Sequence, residues 1–414
     1  MRVPGDKSIS HRALILAVLG RGRSRVRGLL RSADIESTAA VLRQLGVTIP
    51  ALSAQEVVIA GVGLRGLRAP DGDLDCGNSG TTARLMAGVV AGAGVTARFI
   101  GDASLSARPM RRVAAPLDAM GATVALPAHG GLPMTVQGGA LRGLTWHSEV
   151  ASAQVKSAIL LAGLVADVPV EVHEPAATRD HTERMLRARG VALRSEGLVV
   201  TLEPAARLDS ADTEVPGDPS SAAFLAGLAA LGACHTVTLE NVGVNPARVG
   251  AMRVLERMGA SVRYASESEQ GGEPVATISV RPGVLHAVEI GGAEVPALID
   301  ELPLLACVAA RAAGETRITG AAELRVKESD RIRSMVSNLR ALGADAEELP
   351  DGLVVRGSDR PLRGRVITHG DHRIAMAFGV LGAVAGNAIT LDDPSCVAVS
   401  YPTFWDALAE ARRA

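Results

Sequence analysis

Apolar positions along this chain gather into runs of helical length, and each run is entered through a short polar stretch. Pro4-Gly5-Asp6-Lys7-Ser8-Ile9-Ser10-His11-Arg12 leads into apolar residues 13–19 and a closing Gly20, so the pattern predicts a helix capped by Asp6 or Ser8. Asn78-Ser79-Gly80-Thr81-Thr82-Ala83-Arg84 precedes the run 85–90, and Ser152-Ala153-Gln154-Val155-Lys156 precedes 157–161. Asp371-His372-Arg373 does the same for 374–377. In Arg108-Pro109-Met110-Arg111-Arg112 the proline suits a first helical turn and leaves Arg108 just outside it. Thr178-Arg179-Asp180-His181-Thr182-Glu183 reads as a capping start, with Arg179 its functional candidate and His181 structural, because no second histidine stands at metal-ligand spacing.

A second pattern overlies the first. Five times a helix ends in glycine and is followed by an alternating strand, at Leu45-Gly46-Val47, Met120-Gly121-Ala122, Arg189-Gly190-Val191, Met258-Gly259-Ala260 and Leu342-Gly343-Ala344. Glycine there suits the left-handed residue that closes a helix. Each copy reads as one α/β unit, and a C-terminal helix over 404–413 makes a sixth. Three units fall before the Pro/Gly cluster Glu214-Val215-Pro216-Gly217-Asp218 and the rest after it. Two α/β domains of three units each are therefore expected, over residues 7–213 and over 1–6 plus 214–414. No G-x-G-x-x-G follows a strand, which disfavours a doubly wound fold.

Composition narrows the function classes. A length of 414 residues with 47% hydrophobic side chains supports two sizeable cores. Two tryptophans, two tyrosines and four phenylalanines leave little for stacking bases, and a net charge of −1 provides no basic field, so nucleic acid is not expected as a partner. Cys76, Cys234, Cys307 and Cys396 are dispersed without a CxxC pair, which argues against structural zinc and a disulfide framework and points to a reducing cytoplasm. The apolar runs are too short or too glycine-rich to span a bilayer, and Pro4-Gly5-Asp6 breaks the start before any signal-like apolar core.

Among 43 basic residues only three are lysines, Lys7, Lys156 and Lys327, and each lies in a polar cluster at a helix start. Lysine is a compact point charge where arginine is a wide planar fork, so these positions read as needing a compact cation. Helix N-termini attract anions, phosphate above all. Gly80 allows close approach to the backbone, and Gln154 can both donate to and accept from a polyhydroxylated ligand. Asp300-Glu301 interrupts an apolar run over 295–308, where carboxylates are costly unless paired or used in acid–base work. Lys327-Glu328-Ser329-Asp330-Arg331 is the densest cluster, with Lys327 and Arg331 expected on one helical face. Convergent helix mouths carrying cations from both halves suit a multiply charged ligand set enclosed between two domains.

In chain order, Gly5-Asp6-Lys7-Ser8 through Arg12, Gly77-Asn78-Ser79-Gly80-Thr81, Arg108-Pro109-Met110, Ser152-Ala153-Gln154, Asp300, Lys327-Glu328-Ser329-Asp330-Arg331 and Asp371-His372-Arg373 resemble the motifs of the enolpyruvyl transferase family, across essentially the whole chain. The resemblance implies a two-domain inside-out α/β barrel in which each domain has three βαβαββ units. It implies transfer of the enolpyruvyl group of phosphoenolpyruvate to the 5-hydroxyl of 3-phosphoshikimate, in the shikimate pathway to chorismate and the aromatic amino acids. No cofactor or metal is implied, and a cytoplasmic monomer is expected. By position, Lys7, Ser8, Arg12, Ser152, Ala153, Gln154, Arg179, Asp300 and Lys327 hold 3-phosphoshikimate, while Lys7, Gly80, Arg108, Gln154, Arg331 and Arg373 hold phosphoenolpyruvate. Asp300, Glu328 and Lys7 are the implied catalytic groups.

The same resemblance sets the alternatives. The family branch acting on UDP-N-acetylglucosamine carries a cysteine ahead of the Arg-Pro pair, where this chain reads Ala103-Ser104-Leu105-Ser106-Ala107. A non-catalytic anion binder has no use for Asp300 and Glu328 beside its cations. Many members have a lysine in the segment matching Ala398-Val399-Ser400-Tyr401-Pro402, so one phosphoenolpyruvate contact is missing here, and only three residues precede Pro4 where members have a strand. A glyphosate target is implied. The Arg-Pro-Met-x-Arg, Ser-Ala-Gln-x-Lys and Arg-x-His-Thr-Glu patterns resemble the tolerant branch, whereas Gly80 is the residue of sensitive forms.

Overall fold

Asp6 opens the helix Lys7–Leu19 by accepting a hydrogen bond from the backbone N–H of Ile9 at 2.8 Å. The same device recurs at further helices. Ser79 accepts from Thr82 ahead of Gly80–Ala93, Ser152 from Val155 ahead of Ala153–Ala166, and Asp218 from Ser220 ahead of Pro219–Ala230. Asp330 accepts from Arg333 ahead of Arg331–Ala341, and Asp371 from Arg373 ahead of His372–Gly382. Each cap satisfies one of the N–H groups that a helix start leaves without a partner. Two expected starts differ. Pro109 lies ahead of the helix Arg111–Met120 rather than in its first turn. Asp180 precedes His181–Arg187 without a side-chain cap bond, because its carboxylate accepts from Arg184 Nε at 2.8 Å.

The computed structural model describes residues 1–53 and 55–413. The chain divides into one unit comprising Gly5–Val215 with Glu269–Glu273, and another comprising Met1–Pro4, Pro216–Ser268 and Pro274–Ala414. They are called here the N-terminal and C-terminal units. Met1 belongs to the latter by pairing: its amino group donates to Thr238 O, and its carbonyl accepts from the N–H of Glu240.

All five repeat glycines adopt positive φ, from 76° at Gly190 to 108° at Gly121 and Gly259. Strands follow four of them directly, at Thr123–Ala125, Leu193–Glu196, Ser261–Gln270 and Asp345–Leu349. After Gly46 none does, and the next strand is Val57–Val62. In the N-terminal unit two four-stranded sheets share one order. Leu74–Asp75 runs parallel to Thr96–Ile100, which is antiparallel to Met134–Gln137, itself antiparallel to Thr123–Ala125. Leu144–His147, Val170–His173, Val199–Leu202 and Leu193–Glu196 repeat it. The third sheet is completed by a returning strand, Thr213–Glu214, laid parallel to Arg21–Arg27. In the C-terminal unit Glu289–Ile290, Glu315–Ile318, Gly352–Arg356 and Asp345–Leu349 take the same order again.

Helices occupy the centre of each unit and sheets its outside. Val155 through Val165 are buried without a break in the helix Ala153–Ala166, and so is every residue of Pro219–Ala230. Strands alternate instead, as in the buried and exposed positions of Arg21–Arg27. A helix apolar on all sides has to be enclosed by other elements, whereas a sheet can present one face to water. Central packing is tight: a Cβ at Gly88 would lie 2.1 Å from the carbonyl oxygen of Ala158 on the neighbouring helix. This is the inside-out α/β arrangement expected from the sequence.

Candidate active site

In the N-terminal unit the helix mouths converge. Lys7 Nζ lies 3.1 Å from Asp34 Oδ2, on the helix Ala33–Gln44. The buried Arg12 donates to Thr182 Oγ1 and Ser157 Oγ, both at 2.7 Å, and to the carbonyl of Ser8 at 2.9 Å. Burial lowers its pKa to about 10, with Glu183 and Asp6 opposing that fall and Arg179 adding to it. Arg12 and Arg179 therefore share one electrostatic neighbourhood. Gln154 is held at both ends, its Oε1 accepting from Arg84 at 2.6 Å and its Nε2 donating to Thr81 Oγ1 at 2.9 Å. Arg108 donates to Asn78 Oδ1 at 2.6 Å and Ser104 Oγ at 3.3 Å. A Cβ at Gly80 would stand 2.9 Å from Arg84 Nη1 and 3.5 Å from Arg108 Nη1, so both guanidinium groups reach that helix mouth.

Behind these cations runs a buried polar chain. His11 Nδ1 and Thr38 Oγ1 are 2.7 Å apart, Thr38 and Thr82 hydroxyls are 2.7 Å apart, and Thr82 donates to Ser79 Oγ at 2.8 Å. It ties the mouth at Lys7 to the mouth at Gly80. Burial, with Lys7 and Arg12 close by, pushes the His11 pKa well below its ordinary value, which keeps the ring neutral.

In the C-terminal unit one guanidinium collects three carboxylates. The fully buried Arg331 donates to Asp371 at 2.8 and 3.2 Å, to Glu328 at 2.5 Å and to Asp300 at 3.4 Å. Burial alone would lower its pKa, but Asp371, Glu328 and Asp300 together raise it. Lys327 Nζ stands 3.6 Å from Asp300 Oδ1. Lys327 and Arg331 do not share a helical face as expected: Asp330 caps the helix at Arg331, leaving Lys327 and Glu328 on the bend before it. Arg373 lies over the ring of Phe224, 5.7 Å from its centroid. Beside Asp300, the buried Glu301 accepts from Ser220, whose hydroxyl also accepts from Arg248 at 3.0 Å.

The structure thus gathers Lys7, Ser8, Arg12, Ser152, Ala153, Gln154, Gly80, Arg108 and Arg179 in the N-terminal unit. It gathers Asp300, Lys327, Glu328, Arg331 and Arg373 in the C-terminal unit. The sequence pattern did not place Arg84, Asp34, Thr38, Thr182, Asp371 or Arg248 among the site residues. Arg84 carried a signal in its position one turn into the helix that begins at Gly80, and Asp371 and Thr182 stood in polar stretches read as helix starts. The profile of the family described as EPSP synthase (3-phosphoshikimate 1-carboxyvinyltransferase) matches residues 1–408. The chain belongs to the EPSP synthase family. It is 50% identical over 412 residues to the 3-phosphoshikimate 1-carboxyvinyltransferase of Alkalilimnicola ehrlichii, covering 99% of this chain and 92% of that one. It is 48% identical to the enzyme of the same name from Synechococcus sp., covering 100% of this chain and 95% of the relative. A solved structure of EPSP synthase from Acinetobacter baumannii superposes with a TM-score of 0.88 at 42% identity, covering 99% of this chain and 95% of that one. EPSP synthase relatives therefore match both units and the fold of the whole chain.

Proposed function

We propose that the protein transfers the enolpyruvyl group of phosphoenolpyruvate to the 5-hydroxyl of 3-phosphoshikimate, giving 5-enolpyruvylshikimate 3-phosphate and phosphate. The observation that carries this reading is full-length membership of the EPSP synthase family at 50% identity to a relative bearing that name. Lys7, Ser8, Arg12, Ser152, Ala153, Gln154, Arg179, Asp300 and Lys327 hold 3-phosphoshikimate in this reading. Lys7, Gly80, Arg108, Gln154, Arg331 and Arg373 hold phosphoenolpyruvate.

Asp300 removes the proton of the 5-hydroxyl, whose oxygen bonds to C2 of phosphoenolpyruvate. Glu328 delivers a proton to the C3 methylene as that bond forms. The tetrahedral intermediate then loses phosphate and a proton from the new methyl group, restoring the double bond, with Lys7 the third catalytic group. Cations fixed before the reaction stabilise charge as it develops, because they need no reorganisation in the transition state. Three carboxylates around Arg331 support this reading, since a simple anion binder gains nothing from them. A monomer acting in the cytoplasm belongs to the same proposal, in keeping with the four unbridged cysteines.

Phosphate release from phosphoenolpyruvate tests the proposal. Release is expected with 3-phosphoshikimate and not with UDP-N-acetylglucosamine, and the opposite pattern would overturn the substrate assignment.

A further inference from the structure

Lys156 is not exposed at a helix mouth. Its side chain is 2% accessible, and its ammonium lies 2.7 Å from Glu174 Oε2 and 2.7 Å from Glu183 Oε1, whose side chains are as deeply buried. Burial would lower its pKa, but Glu183 and Glu174 outweigh that and raise it. The bridge joins three segments: the helix Ala153–Ala166, the loop after the strand Val170–His173, and the helix His181–Arg187.

Each arm leads to a cation assigned to 3-phosphoshikimate, one through the chain and one through a hydroxyl. Glu174 accepts from the hydroxyl of Thr178, the residue before Arg179. Glu183 follows Thr182, whose hydroxyl accepts from Arg12 and donates to Ser157 at 2.8 Å. Ser157 follows Lys156 itself, accepts from Arg12, and donates to the carbonyl of Ala153 at 2.6 Å. Glu183 also opposes the charge of Arg12 across this buried space. A compact ammonium can stand within ion-pair distance of two carboxylates here, whereas a planar guanidinium fork needs more room.

We infer that Lys156 is a positioning residue for the 3-phosphoshikimate subsite: through Glu174 and Glu183 it sets the places of Arg179 and Arg12 without touching the ligand. This rests on the substrate reading above. It deepens that reading by assigning the third lysine of the chain a role through other residues.

The experiment compares wild type, Lys156→Met and Glu174→Gln. The second variant keeps the Lys156–Glu183 pair and so protects the fold while weakening the Thr178 arm. Calorimetric Kd for 3-phosphoshikimate and KM for phosphoenolpyruvate are measured on the folded fraction of each, alongside Tm. The 3-phosphoshikimate Kd is expected to rise about tenfold or more in Lys156→Met and about threefold or more in Glu174→Gln, since small misplacements of binding groups are costly. The phosphoenolpyruvate KM should stay within about twofold in both. A purely structural bridge would lower Tm and leave both constants unchanged, and Glu174→Gln with an unaltered 3-phosphoshikimate Kd overturns the inference. Failure of wild type to bind 3-phosphoshikimate would instead defeat the substrate reading, so the two failures are distinguishable.

Discussion

Arg331 grips Asp371 with two donors, Nε to Oδ2 at 2.8 Å and Nη2 to Oδ1 at 3.2 Å, in a position where neither side chain meets solvent. Asp371 serves a second purpose, since the same Oδ1 accepts from the backbone N–H of Arg373 and caps the helix His372–Gly382. One carboxylate thereby orients two of the cations assigned to phosphoenolpyruvate. Removing one partner of a buried ion pair leaves the other poorly compensated. Asp371→Asn is expected to lower unfolding stability by about 3 kcal/mol, the low end for a broken buried pair because Glu328 and Asp300 remain. Urea denaturation measures this, and an unchanged midpoint would refute it.

Glu328 stands 2.5 Å from the same guanidinium, on the bend before the helix Arg331–Ala341. Glutamine can still accept that hydrogen bond but has no acidic proton to deliver. Glu328→Gln is therefore expected to retain 3-phosphoshikimate binding while turnover falls by roughly 10²–10⁴, the usual range for a lost general acid. Equilibrium binding and steady-state phosphate release separate the two effects, and undiminished turnover would remove Glu328 from the mechanism.

His11 makes stability depend on pH with a definite sign. Its folded pKa is depressed well below 6.5, so the unfolded chain binds a proton that the folded protein refuses. Stability from the neutral ring is complete above about pH 6.5 and is lost as pH falls below it, at up to about 1.4 kcal/mol per pH unit for one proton. His11→Gln should flatten the decline in urea midpoint between about pH 6.5 and 5.5, a range bounded above by the unfolded histidine pKa. A variant that declines as steeply as wild type would show that other groups carry the acid sensitivity.

Gly88 tests the packed centre of the N-terminal unit. A methyl group there would meet backbone of the facing helix, with Ala158 O at 2.1 Å and Ala158 C at 2.8 Å. Backbone cannot step aside as a flexible side chain can, so Gly88→Ala should destabilise by about 1–3 kcal/mol despite the better helix propensity of alanine. A rise in Tm would mean that the two helices separate at little cost.

Local order is legible in the sequence. Helix starts at Asp6, Ser79, Ser152 and Asp371 can be located there because capping depends on residues only two or three positions apart. The repeat glycines declare helix ends for the same reason, since a positive φ is a demand on one residue. Order along the chain also carries the family resemblance. Gly46 marks where this reasoning stops: its helix ends as expected, but whether a strand follows depends on a pairing partner elsewhere.

Sequence by itself therefore determined the caps, the helix ends, the α/β repeats and the identity of the polar clusters. Tertiary structure decided which distant charges meet. Lys156 reads as a compact cation at a helix mouth, yet folding buries it between Glu174 and Glu183, and Arg331 faces Asp371 forty positions away. Such pairings arise because a buried charge must find an opposite one to offset its lost hydration, and the nearest candidate in space is set by how the elements pack.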